Sequence, residues 1–197
     1  MSRPYSESCE QNRAPILAVL KRHLDGVEAL LEIGSGTGQH AVYFAPEFPH
    51  ISWHTSDRQE NHPGIQAWLK EFSVDNLQPP LALDVLRDAW PELAVQAVFS
   101  ANTAHIMHEP DVQAMFAGVG ELLPSQGKFL LYGPFNIDGQ YTAPSNERFD
   151  QFLRQRDPGM GVRDLGWLRE LAENAGMLLQ SVEDMPADNK TLVWVKR

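Results

Sequence analysis

The chain has 197 residues, 43% of them hydrophobic, which fits one domain with its own core and excludes a disordered segment. Its 26 acids against 16 bases leave a net charge of −10, so nucleic acid, which calls for a basic face, is not an expected partner. One cysteine, Cys9, excludes an internal disulfide, no apolar run approaches the ~20 residues that cross a bilayer, and the N-terminus lacks a signal-peptide core; a cytoplasmic protein with no membrane attachment is expected.

Apolar spacing predicts a helix over residues 14–24, ended by Asp25-Gly26. An unbroken apolar run over 27–33 predicts a strand buried on both faces. A helix over 39–48, a strand over 51–56 and a helix over 64–72 follow. Further strands are expected over 80–85, 95–101 and 127–132, with a helix over 111–123 between the last two. Residues 133–161 are rich in Gly, Pro, Asn and Gln and hold one short predicted helix, 146–156. That stretch is too long for an ordinary connection and predicts a lid or substrate insertion. A helix over 164–175 and two strands, 177–182 and 191–195, close the chain. Alternating strands and helices predict a parallel sheet covered on both faces, and the last two strands, with no helix between them, an antiparallel hairpin at its edge. The whole is expected to be one α/β domain, 1–197, with an N-terminal cover segment at about 1–25.

The first strand runs into Glu32-Ile33-Gly34-Ser35-Gly36-Thr37-Gly38. Glycines at every second position permit positive φ and close approach of a ligand, and the helix that follows aims free N–H groups at it. The segment resembles the acid-x-Gly-x-Gly-x-Gly turn of S-adenosylmethionine methyltransferases. A dinucleotide fingerprint, Gly36-x-Gly38-x-x-Ala41, competes with it, but its first glycine sits two residues late. Glu32 also disfavours a pyrophosphate and favours the ammonium of a methionine group. Asp57, about twenty residues past the turn, suits a ribose diol in either case, and Arg58 adjoins it. Asp84, expected to end the third strand, would accept from an adenine amino group, with Val85 offering its N–H. Glu32, Asp57 and Asp84 at successive strand ends thus mark one ligand edge, together with Gly34, Ser35, Gly36 and Gly38.

The fourth strand leads into Asn102-Thr103-Ala104-His105-Ile106-Met107-His108-Glu109. Asn102 is expected to bond donor or acceptor. One helical turn would put His105 and His108 on one face, where a near-neutral imidazole takes the proton an attacking hydroxyl or amine loses. A metal reading of this run lacks a third ligand, and no metal is expected. In the insertion, Phe135, Asn136 and Tyr141 are expected to wall an acceptor pocket, closed by Arg163 and Trp167. Each of these residues has an ordinary structural reading as well, as core, cap or solvated surface.

The runs Cys9-Glu10-Gln11-Asn12-Arg13-Ala14-Pro15-Ile16-Leu17, Glu32 to His40, Asn102-Thr103-Ala104-His105-Ile106 and Tyr132-Gly133-Pro134-Phe135 together resemble the methyltransferase-like protein 26 family over nearly the whole chain. The resemblance implies a Rossmann-like class I methyltransferase fold with a seven-stranded, mostly parallel sheet, and S-adenosylmethionine as cofactor. It implies no substrate. Arg13 is placed against the donor's carboxylate on this basis. The expected function is methyl transfer to an oxygen or nitrogen of a small molecule, by a monomer or homodimer. A donor-binding sensor or partner subunit and a nicotinamide-dependent oxidoreductase are the alternatives.

Overall fold

The computed structural model describes residues 3–197; Met1 and Ser2, part of the expected cover segment, lie outside the described residues. In chain order the elements are α1 (Glu7–His23), β1 (Ala29–Ile33), α2 (Gln39–Phe44), β2 (Ser52–Asp57), α3 (His62–Phe72), β3 (Leu77–Ala82), β4 (Ala97–Ala101), α4 (Glu109–Leu122), β5 (Lys128–Gly133), β6 (Phe135–Asn136), α5 (Pro144–Arg156), β7 (Arg163–Asp164), α6 (Leu165–Asn174), β8 (Met177–Asp184) and β9 (Lys190–Lys196). Seven strands form one sheet in the order β3-β2-β1-β4-β5-β9-β8. β1 to β5 run parallel, and β9 and β8 return antiparallel as the expected edge hairpin. Strand order reverses between β1 and β4, and a ligand crevice belongs beyond the carboxyl ends at that reversal.

Each sheet face buries its own core. Leu30, Trp53 and Phe99 pack under α1 and α2, while Leu31, Val98, Phe129 and Trp194 pack under α4 and α6. Aromatic edge-to-face contacts recur in both, Phe44 on Phe99 in one and Phe116 on Trp194 in the other.

The end of β1 is pinned on both sides. Ser56 Oγ donates to the Glu32 carbonyl (2.7 Å) and Ser100 Oγ to the Ile33 carbonyl (2.8 Å), and both serines are fully buried. Ser100 also meets Thr103 Oγ1 at 2.6 Å. These hydroxyls bind the last β1 carbonyls before the glycine turn to the two neighbouring strands.

Several boundaries differ from expectation. α1 begins at Glu7 rather than 14, because Ser6 caps it by accepting from Cys9 N and Glu7 and Glu10 favour its first turn. Pro15 therefore sits inside the helix rather than near its start. α2 stops at Phe44, where Pro46 tightens the chain into a 3-10 turn, Ala45–Glu47. β3 begins at Leu77 and ends at Ala82, so Asp84 stands beyond the strand instead of ending it. Pro79 and Pro80 are tolerated within β3 because it is an outer strand. The expected insertion is partly drawn into the fold: β6 pairs with β7 in a small second sheet.

Ser56→Ala and Ser100→Ala should each lower stability by ~1–3 kcal/mol, since each strands a buried carbonyl. Urea denaturation reads this, and unchanged midpoints would show that the pins contribute nothing.

Candidate active site

The three glycines of the turn all have positive φ: 70° at Gly34, 58° at Gly36 and 89° at Gly38. A Cβ on Gly34 would meet Thr103 Cγ2 at 2.5 Å, so the turn is closed to larger residues there by packing as well as by backbone conformation. Ser35 N donates to Ser56 O (3.0 Å), and Ser35 Oγ accepts from Ser56 N (3.2 Å), which ties the turn to β2.

Beyond the turn lies a crevice of about 520 Å³. Its lining takes in Gly34, Ser35, Gly36, Asp57, Arg58, Asp84, Val85, Asn102 and His108, all expected from the sequence. Asp57 is held by three hydrogen bonds. Its Oδ2 accepts from Gly36 N (2.7 Å), and its Oδ1 from Arg58 N (2.7 Å) and Asn61 Nδ2 (2.8 Å). Three bonds on a carboxylate with about four lone-pair sites leave room for one hydroxyl donor or more at bifurcated geometry. Asp84 Oδ1 accepts from Leu86 N and Arg87 N and so shapes the turn after β3. Among the described residues the Val85 N–H has no hydrogen-bond partner. Leu83, Ile106 and Met107 add apolar surface.

Glu32 does not reach this crevice. Its position on β1 puts it on the same sheet face as Trp53, and its Oε2 accepts from Trp53 Nε1 at 2.9 Å. Burial lifts its pKa to about 7, against the pull of hydrogen bonds from Trp53 and Ser35. The expected carboxylate for a donor ammonium is thus a buried brace beneath the turn. Arg13 also lies outside the lining; it pairs with Glu10 and stacks on Tyr43, 4.5 Å from its ring centre. Gly38 stands behind the lining as the N-cap of α2, its would-be Cβ 3.1 Å from Ile65 Cα.

The two histidines separate, because 103–108 is a set of turns and not a helix. His105 is buried against Phe149 and its pKa is pulled down to about 4, chiefly by burial and then by Arg163. His108 stays half exposed on the crevice rim, Nε2 at 2.8 Å from Asp157 Oδ2. That bond holds the Asp157 carboxyl below its usual range. Among the described residues no three His, Cys, Asp or Glu side chains gather as a metal site.

A second cavity of about 380 Å³ adjoins the crevice, and Ser8 and Asn102 line both. It is walled by Gln11 and Asn12 of α1, Tyr132 of β5, Asn146 and Phe149 of α5, and Asn189 before β9, among others. Asn102 turns between the two with φ 59°, its N–H donating to Tyr132 O at 2.9 Å. None of the four expected acceptor residues is there. Phe135 is drawn into the core by the β6–β7 pairing, and Asn136 shares that small sheet. Tyr141 faces outward and donates to Asp150, and Trp167 packs on the core of its sheet face. Arg163, also expected there, is buried and donates to the Ala104, Met107 and Gly159 carbonyls.

The sequence pointed to an N-terminal cover segment but not to the residues with which it lines the crevice. Ser6, Ser8 and Cys9 line the crevice, held by Ser6 N donating to Gln39 Oε1 and by Trp68 Nε1 donating to Pro4 O. His40 lines it too, bonded to Asn12 at 2.7 Å, and burial pulls its pKa to about 4. The run from Cys9 to Arg13 was the available signal, but it did not say which side chains face inward.

A family model described as "Protein of unknown function (DUF938)" matches residues 3–196. The chain belongs to the DUF938 family. Solved structures share the fold of this DUF938 protein. The mitomycin 7-O-methyltransferase MmcR matches with a TM-score of 0.82 at 15% identity, over 96% of this chain and 54% of that one. Human N-acetylserotonin methyltransferase, solved in complex with SAM, matches with 0.79 at 15% identity, over 96% and 53%. An O-methyltransferase family 2 protein from Planctomyces limnophilus, solved with apigenin, matches with 0.83 at 17% identity, over 96% and 58%. The DUF938 chain spans just over half the length of these proteins. No helix among its described residues is long and apolar enough to cross a membrane.

The buried titratable groups make opposed contributions to stability. Glu32, its folded pKa raised to about 7, stabilises fully below the unfolded carboxylate range and loses that contribution as pH rises to about 7. His40 and His105, lowered to about 4, stabilise above their unfolded range and lose it as pH falls toward 4. Glu32→Gln should therefore gain on the wild type between about pH 4.5 and 7 by roughly 3 kcal/mol, at ~1.4 kcal/mol per pH unit. Urea denaturation at pH 5 and pH 8 checks it; parallel curves for the two proteins would refute the buried acid's role.

Proposed function

We propose that this protein is an S-adenosylmethionine-dependent methyltransferase acting on an oxygen or nitrogen of a small molecule. The observation that carries the reading is the crevice at the strand-order reversal, where the glycine turn and Asp57 are locked together by the Gly36 N–H. The residues present fit an adenosyl group. Asp57 would accept from the ribose hydroxyls, the Val85 N–H and the Asp84 carboxylate would meet the adenine edge, and Leu83, Ile106 and Met107 would cover its face. The likeness to solved methyltransferases supports this through the shared fold, and the resemblance to the methyltransferase-like protein 26 family is part of the same reading.

Bound there, S-adenosylmethionine supplies a methyl on a cationic sulfur, which the acceptor's lone pair takes as the carbon–sulfur bond breaks and a neutral thioether leaves. The chain's part is to align the acceptor and exclude water, a positioning effect that supplies roughly 7–11 kcal/mol in favourable cases. Asn102, touching both cavities, would orient the acceptor. His108, steered by Asp157 and open to solvent, would receive the proton that the methylated acceptor sheds. His105, buried and with a depressed pKa, is assigned a structural role.

The nicotinamide alternative is disfavoured by charge. Four carboxylates (Asp57, Asp84, Asp111, Asp157) and two arginines (Arg58, Arg87) line the crevice, which suits a cation better than a pyrophosphate. A sensor that binds the donor without transfer is separated from an enzyme only by turnover.

Calorimetry should detect binding of S-adenosylhomocysteine, the demethylated donor. Asp57→Ala should weaken it by about 10- to 100-fold, the loss of charge-assisted bonds worth ~1.5–3 kcal/mol. No heat at ~1 mM ligand would count against the whole reading, and unchanged affinity in the variant would remove Asp57 from the site.

A further inference from the structure

The second cavity has a chemical signature of its own. Its lining includes Gln11, Asn12, Asn102, Asn146 and Asn189, and none of its lining side chains carries a charge. This happens in a chain with net charge −10, beside a crevice lined by four carboxylates. Five of the lining side chains are carboxamides, brought from α1, the end of β4, α5 and the turn before β9.

Their hydrogen bonds leave a mixed set of free groups. Asn146 is nine-tenths buried and spends its Nδ2 on Thr142 Oγ1 (2.9 Å) and Asp188 O (3.1 Å), so its Oδ1 is without a partner among the described residues. Asn189 likewise spends its Nδ2 on the Pro186 and Ala187 carbonyls and keeps its Oδ1. Asn12 is spent at both ends, its Oδ1 toward His40 and its amide toward the Tyr132 hydroxyl. The Asn102 side chain has no hydrogen-bond partner among the described residues, although its backbone is held in a left-handed turn. Tyr132 is buried and Phe149 half-buried, and with Pro15, Pro134 and Pro186 they give the cavity flat apolar walls.

We infer that this cavity is the acceptor site and that it takes an uncharged molecule with a flat ring and both hydrogen-bond donors and acceptors, an amide or alcohol rather than an acid or amine. The inference rests on the methyltransferase reading. A carboxylate entering the cavity would lose its hydration with no cation to meet it, and an ammonium would find no anion; a partly buried charge left unpaired costs far more than the same charge in water. Carboxamides answer a neutral polar group on both of its edges. Ser8 and Asn102, common to both cavities, mark where the acceptor's reacting atom meets the methyl.

Three probes of one shape separate the possibilities: 4-hydroxybenzamide, 4-hydroxybenzoate and 4-hydroxybenzylamine. Saturation-transfer NMR on the full chain, with S-adenosylhomocysteine present, should show the amide binding at least about tenfold more tightly than either ion. Asn146→Leu and Asn189→Leu should each remove that contact while leaving S-adenosylhomocysteine affinity within about twofold. Binding of either ion as tight as the amide, an amide signal indifferent to both substitutions, or no probe bound while S-adenosylhomocysteine binds would each overturn the inference. Failure of S-adenosylhomocysteine itself to bind overturns the methyltransferase reading instead.

Discussion

The clamp on the carboxyl end of β1 is the constraint from which the site follows. A parallel sheet frays where its strands stop, because the last carbonyls lose their ladder partners. Here two buried hydroxyls, Ser56 and Ser100, take the carbonyls of Glu32 and Ile33 from opposite sides. Ser35 returns the favour to β2, and Thr103 lies against both Ser100 and Gly34. The turn is therefore fixed at its root by the ends of its two neighbouring strands, β2 and β4, and its glycines need supply only the conformation. Asp57, the residue that ends β2 at the same level, is then held in reach of the Gly36 N–H.

Charge is partitioned along that edge. The acids of the crevice stand at the end of β2 (Asp57), after β3 (Asp84), in the first turn of α4 (Asp111) and just past α5 (Asp157), and their carboxylates also accept from local N–H groups, as Asp84 does from Leu86 and Arg87. The neighbouring cavity is lined above all from α1, α5 and the turn before β9, and none of its lining side chains is charged. Glu32 lies outside this partition. Sealed against Trp53 on the opposite side of the turn, it has a pKa near neutrality and contributes to the brace rather than to the charge of the crevice.

Much of this order could be read in the sequence, and the limits have physical causes. Unbroken apolar runs and the glycine turn carried the sheet, its order of elements and the edge hairpin, since those depend on local periodicity and on the rules of parallel connection. Asp57 and Asn102 could be expected in the crevice because they stand at strand ends, and both line it. Glu32 was misplaced because which face of a buried strand a residue takes is decided by neighbours such as Trp53, and an all-apolar strand has no alternation to reveal it. Phe135, Asn136, Tyr141 and Trp167 were misplaced for a different reason. A composition shift marks an insertion but does not say which part of it turns inward, and the β6–β7 pairing joins residues too far apart in the chain for any local signal. The carboxamides of the second cavity come from four separate segments, and no spacing rule links them.

The N-terminal segment binds these parts into one device. α1 begins early because Ser6 caps it, and that start places Ser8 over both cavities, Cys9 over the crevice and Asn12 in the wall of the second cavity. The segment is held to the body by polar bonds that all land on the same two helices: Gln39 and His40 of α2 grip Ser6 and Asn12, and Trp68 of α3 grips Pro4. Arg3 adds a stacking contact, 3.9 Å above the Trp68 ring. Under the proposed function this wall would matter more to the transfer than the proton acceptor at His108. A reaction whose leaving group is already activated needs a dry junction and a fixed line of approach more than it needs a proton acceptor. The wall is anchored on α2, the helix that starts at the end of the glycine turn, so the element that follows the turn also positions the segment that lines both cavities.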